Sequence, residues 1–128
     1  MILDSANAKR LILYFMYDKD GIVDDYVPYM LRELKKNSTE ILVVCNGKLT
    51  RESREKLQEV TPNVLVRENK GFDVWAYKTG LEYYGWDKIR SFDEVIMMNF
   101  TIMGPVYPLE EMFKTMDQRD LDFWGITM

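Results

Sequence analysis

The sequence predicts an α/β fold, a mostly parallel sheet with helices on both faces. Two observations carry this. Four short apolar runs read as strands covered on both sides, and segments with helical spacing of their apolar residues stand between them. Alternation of this kind builds βαβ units. The alternative is an α+β fold with an antiparallel edge, placed at the last strand.

Each element follows from local chemistry. Leu11 to Tyr17 is a continuous apolar run, broken by Asp18-Lys-Asp-Gly21. Val27, Met30, Leu31 and Leu34 then recur at helical spacing, with Asp24 or Asp25 as a cap and Pro28 in the first turn. Ile41 to Cys45 is a second buried strand, ended by Asn46-Gly47. Thr50 can cap a helix carrying Leu57 and Val60, and Thr61-Pro-Asn63 is a turn. Val64 to Val66 begins a third strand, ended by Glu68-Asn-Lys-Gly71. Val74, Tyr77, Leu81 and Tyr84 mark a helix expected to begin near Val74 and to stop at Gly85. Val95 to Met98 is the fourth strand. After a loop with Gly104-Pro105 and Tyr107-Pro108, the residues Leu109, Met112, Phe113 and Met116 form a helical stripe. Asp122 to Thr127 reads as a last strand. Most tyrosines and tryptophans fall inside these patterns and are expected in the core, with Phe72 and Trp75 left open.

The 128 residues suit one domain over 1–128, and 47% hydrophobic with 30% charged residues is ordinary for a globular chain. The charge is 17 basic minus 21 acidic, or −4, which argues against nucleic acid as a partner but not against a small nucleotide. The chain has no histidine, so His-based triads, His-ligated zinc and a His base are excluded within it. The single cysteine, Cys45, sits in an apolar run and is expected to be a buried thiol. The polar start is no signal peptide, and the longest apolar run, Leu11 to Tyr17, is too short to span a bilayer. The expected location is cytoplasmic, with peripheral membrane association as the partner-dependent alternative.

In an open parallel sheet, ligands bind beyond the carboxyl ends of the strands. The most informative of these ends is Asn69-Lys-Gly-Phe-Asp73. Gly71 admits a positive φ or close approach of a ligand, and the following helix points free N–H groups at a loop holding Lys70 and Arg67. Asp73 has two readings, a helix N-cap or an acceptor for a ligand hydroxyl. Asn99-Phe-Thr101 could orient a ligand oxygen or bind a cation weakly, and reads equally well as a loop. Asp18 and Asp20 form an acidic pair or a simple turn, and Glu110-Glu111 suits the first turn of a helix.

Five segments together resemble the rhamnan synthesis protein F family of bacterial rhamnose-containing polysaccharide synthesis. They are Arg10 to Phe15, Asp18 to Val27, Glu68-Asn-Lys-Gly-Phe-Asp-Val-Trp-Ala-Tyr-Lys-Thr-Gly-Leu81, Gly104-Pro-Val-Tyr-Pro-Leu-Glu-Glu-Met-Phe113 and Asp120 to Thr127. The resemblance implies a Rossmann-like domain, the nucleotide-binding half of a GT-A glycosyltransferase, with a nucleotide-sugar donor such as dTDP-rhamnose and a glycan acceptor. By position, it implies Asn46 near the base, and Arg67, Lys70 and Asp73 near the ribose and diphosphate, and it points to the same loop in which Asn69, Lys70, Gly71 and Asp73 are expected to line the donor pocket. It also implies a divalent cation at an acidic DxD motif. Here that position, flanked by Asn99 and Thr101, reads Asn-Phe-Thr. A carboxylate base for an inverting transfer is not evident.

Three function classes follow. The first is the donor-binding half of a rhamnosyltransferase-like enzyme, the chain being either a fragment of a longer protein or a shortened family member without activity. The second is a non-catalytic module of the same machinery that binds a nucleotide or a partner protein. The third, a phospho-receiver-like domain, needs an aspartate at the end of the third strand, where Glu68-Asn69 stands.

Overall fold

A computed structural model describes residues 2–102 and 104–126. Its elements are β1 (Arg10–Asp18), α1 (Tyr26–Lys35), β2 (Glu40–Gly47), α2 (Arg51–Gln58), β3 (Val64–Arg67), α3 (Phe72–Tyr84), α4 (Trp86–Ile89), β4 (Glu94–Asn99) and α5 (Glu110–Asp117). The four strands form one all-parallel sheet in the order β3-β2-β1-β4. The first crossover sets β2 beside β1, and the longer route through α3 and α4 returns β4 to the other side of β1.

The two central strands explain the unbroken apolar runs. Side chains alternate between faces along a strand, so a strand covered on both sides must be apolar throughout. Ile12, Tyr14 and Met16 of β1 join Ile41, Val43 and Cys45 of β2 on the face covered by Val27, Met30, Leu31 and Leu34 of α1 and Leu57 of α2. Leu11, Leu13, Phe15, Leu42 and Val44 point the other way, against Ala76, Tyr77, Leu81 and Tyr84 of α3. Gly80 belongs to the same contact, because a Cβ there would stand 3.1 Å from Leu13. Thr50 caps α2 as its chemistry suggests, accepting from the Ser53 amide at 3.1 Å. Asp25 stands at the start of α1 but makes no capping bond. Among the described residues, no helix is long and apolar enough to cross a membrane.

Three expectations need correction. Residues 122–126 carry no strand, and Thr127 lies outside the described residues. Trp124 packs edge-on against Phe113 at 6.1 Å between centroids and donates to Glu94 at 2.9 Å, which ties this segment to side chains rather than to a strand ladder. Second, α3 begins at Phe72, and Val74 is exposed, because the buried face of the helix runs through Ala76 and Gly80. Third, the aromatics are not mostly core. Tyr17, Tyr29, Tyr83, Tyr107, Trp75 and Trp86 are all exposed, and Tyr14 is fully buried.

Cys45 is fully buried, and desolvation pushes its thiol up to about 11. Cys45→Ser is therefore expected to cost about 1–3 kcal/mol, since it sets a hydroxyl in place of an apolar sulfur. Thermal melts measure that cost. Thiol-reagent kinetics provide the independent check, because rapid labelling of the folded protein would contradict the burial.

Candidate functional site

Because all four strands run parallel, their carboxyl ends share one edge. Register aligns Tyr17 of β1 with Asn46 of β2, and Asn46 with Arg67 of β3. Asn99 ends β4 level with Phe15. Asn46, Arg67, Asn69, Lys70, Gly71 and Asp73 thus gather at the β2–β3 side. Asn99 and Thr101 stand beyond β1, about 14 Å from the end of β3 at roughly 4.8 Å per strand spacing.

A buried polar clamp shapes the β3–α3 loop. Asn46 is fully buried. Its Oδ1 accepts from Arg67 Nη1 at 2.7 Å, and its Nδ2 donates to the Phe72 carbonyl at 3.3 Å. The same Arg67 nitrogen donates to the Lys70 carbonyl at 3.0 Å. Both ends of the Asn46 amide are used inside the protein, so this residue sets the loop's shape. The clamped loop is strained. Gly71 has φ +75° and Phe72 φ +54°, a left-handed conformation that bulky residues rarely adopt. Phe72 is held there with its side chain 84% exposed.

Gly71, not Asp73, is the N-cap of α3. Asp73 lies within the first turn, where a carboxylate suits the helix dipole, and it makes no side-chain hydrogen bond among the described residues. It stands near Tyr77, whose hydroxyl is pushed up to about 12, chiefly by burial and further by that negative charge. Of the two readings of Asp73, the capping one is therefore not realised.

Two aromatic residues join this edge, Tyr17 from the end of the first apolar run and Trp75, which the sequence left open. Tyr17 closes the apolar run of β1, yet its ring emerges at the edge, close to Gly47, where a Cβ would stand 3.7 Å from the ring and 3.6 Å from Asn69. Tyr17, Gly47 and Asn69 thus lie close together at the strand ends. Trp75 lies against Gly71, with the Lys78 ammonium 4.4 Å from its ring centroid. An aromatic at the end of an apolar run was the available signal for Tyr17, and nothing local distinguished it from a core residue.

The charges on this edge are uneven. Lys19, Lys48, Arg67 and Lys70 follow or end β1, β2 and β3, and none forms an ion pair among the described residues. Asp18 is occupied as a turn, its Oδ2 accepting from the amides of Asp20 and Ile22, both at 2.9 Å. Glu110 pairs with Lys114 at 2.8 Å in the first turn of α5 and belongs to the surface. An apolar groove of about 810 Å³ runs along β4 and α5, past Met97, Met98, Met112 and Trp124. It reaches the strand ends at Asn99 and is separate from the cationic side.

No curated protein and no solved structure matches the chain. A family profile, that of rhamnan synthesis protein F, does match, over residues 41–128. The match takes in β2, the clamped loop and everything after it, and leaves β1 and α1 outside. It spans well over half of the chain and contains all eight candidate site residues, so the chain belongs to the rhamnan synthesis protein F family.

Proposed function

We propose that this chain is the donor-binding domain of a rhamnosyltransferase-like protein, holding a nucleotide-sugar such as dTDP-rhamnose at the carboxyl edge of the sheet for transfer to a glycan acceptor. The observation that carries the proposal is the group of cations without an ion pair among the described residues, Lys48, Arg67 and Lys70, around a preformed loop at the carboxyl edge of a parallel sheet. Membership of a rhamnan-synthesis family supports a rhamnose donor as the substrate class in this reading. In this reading, Tyr17 stacks on the base above Gly47 and Asn69. Asp73 accepts from a ribose or sugar hydroxyl, and Lys70 meets the diphosphate.

Calorimetric titration with dTDP and dTDP-rhamnose tests the proposal. Lys70→Ala is expected to weaken binding by about 1.5–3 kcal/mol, the range of one charge-assisted hydrogen bond, with the melting temperature unchanged. Wild-type protein that binds neither compound at millimolar concentration would remove the donor-binding reading.

A further inference from the structure

The GT-A resemblance implies a divalent cation at the end of β4, and the donor set there does not fit one. Thr101 is the reason. Its backbone N–H donates to the Asn99 side chain at 3.0 Å, and its hydroxyl donates to the same atom. A backbone N–H can only donate, so the Asn99 atom that it meets is the carbonyl oxygen Oδ1. The lone pairs that could ligate a cation are thereby used within the loop. What Asn99 has left to offer is its amide Nδ2, a hydrogen-bond donor.

Phe100, between them, contributes nothing ionic. Its ring packs against both core clusters, 5.9 Å from the Phe15 centroid, and its carbonyl accepts from the Tyr26 hydroxyl at 2.9 Å. On the neighbouring strand, one Asp18 oxygen is bound by two backbone amides. Among the described residues, no three His, Cys, Asp or Glu side chains come together as metal ligands. Hard divalent cations take oxygen ligands and prefer one or two carboxylates among them. The edge has carboxylates at Asp18, Asp20, Glu68 and Asp73, but none at β4, which presents a neutral donor, and positive charge stands at Lys19, Lys48, Arg67 and Lys70.

We infer that this edge holds a diphosphate without a divalent metal, its charge met by the lysines and Arg67, with the Asn99 amide donating to a ligand oxygen where a metal would otherwise sit. The inference rests on the donor-binding reading, and the test separates the two.

The experiment titrates dTDP into the wild-type chain twice, once in EDTA and once in millimolar Mn²⁺. Binding in EDTA is expected to equal or exceed binding in Mn²⁺, since a cation that chelates the free diphosphate masks the charge the lysines recognise. Tightening of about tenfold or more in Mn²⁺ would overturn the inference and leave the donor-binding reading intact. Absence of dTDP binding in both buffers would overturn both. Asn99→Asp, checked for folding by its melting curve, is the second arm. A new carboxylate should weaken dTDP binding in EDTA and restore part of it in Mn²⁺. Unchanged affinity in both buffers would show that Asn99 does not face the diphosphate, and would overturn its assigned part.

Discussion

Arg10→Ala is expected to destabilise the chain by about 3–5 kcal/mol, the usual cost of stranding buried charges. Arg10 opens β1 and is 1% exposed. Its Nε donates to Glu94 at 2.9 Å, Nη1 to the Asn37 carbonyl at 3.3 Å and Nη2 to Asp117. The guanidinium also lies over the Phe113 ring, 4.6 Å from its centroid. Burial alone would lower its proton affinity, but Asp117 and Glu94 outweigh that and raise it. Asp117, itself buried, would be left with only the Ser5 hydroxyl among its described side-chain partners. Glu94 would keep the Trp124 indole. One residue therefore joins β1, β4, α5 and the turn after α1. A drop in melting temperature on the order of 10 °C or more is the measurable result. The double replacement Arg10→Met, Asp117→Leu should recover most of it, because no charge is then left unpaired. A loss below about 1 kcal/mol for Arg10→Ala would mean that water reaches the network.

That network also shows where sequence reading stops. β1 and β2 were legible because a strand covered on both faces leaves an unbroken apolar run, and Leu11 to Met16 and Ile41 to Cys45 are such runs. Thr50 was legible because capping is local. Arg10 was not, because its partners Glu94 and Asp117 lie 84 and 107 residues away, and no spacing announces them. Asn46 has a structural part that the sequence did not announce, for a related reason. A polar residue ending a parallel strand looks like a ligand contact, and only the fold reveals that Arg67 and the Phe72 carbonyl have claimed both ends of its amide. Asp122 to Ile126 misled through composition, since Phe123, Trp124 and Ile126 suit a strand equally well. There the pull of Phe113 and Glu94 on Trp124 decided otherwise. The candidate site was half legible. The loop from Asn69 to Asp73 was found from its glycine and its cation, whereas the exposed ring of Tyr17 depended on where β1 meets the edge.

Gly71→Ala is the most informative change at the site, and it should lower both stability and dTDP affinity. Two costs combine. The backbone at Gly71 has φ +75°, and a residue with a Cβ loses about 1–2 kcal/mol in that region. The Cβ would also stand 1.5 Å from Trp75 Cδ1 and 2.0 Å from Cγ, so the indole must leave its rotamer, at roughly 0.5–1.5 kcal/mol more. The indole would carry away its contact with Lys78, and the shift would fall on the turn that sets Lys70 and Asp73. The expected total is about 1.5–3.5 kcal/mol by thermal or urea unfolding, with weaker dTDP binding alongside. A double-mutant cycle with Trp75→Ala separates the parts. Without the indole the steric cost vanishes, and Gly71→Ala should then lose only the backbone share of about 1–2 kcal/mol. Equal losses in the two backgrounds would show that Trp75 moves aside freely and that backbone conformation alone demands glycine here. If dTDP affinity recovers in the double variant while the backbone cost persists, the indole is what displaces Lys70. If affinity stays low, the left-handed turn itself positions the cation, and the strain held by Asn46 and Arg67 is part of how this edge presents charge to its ligand.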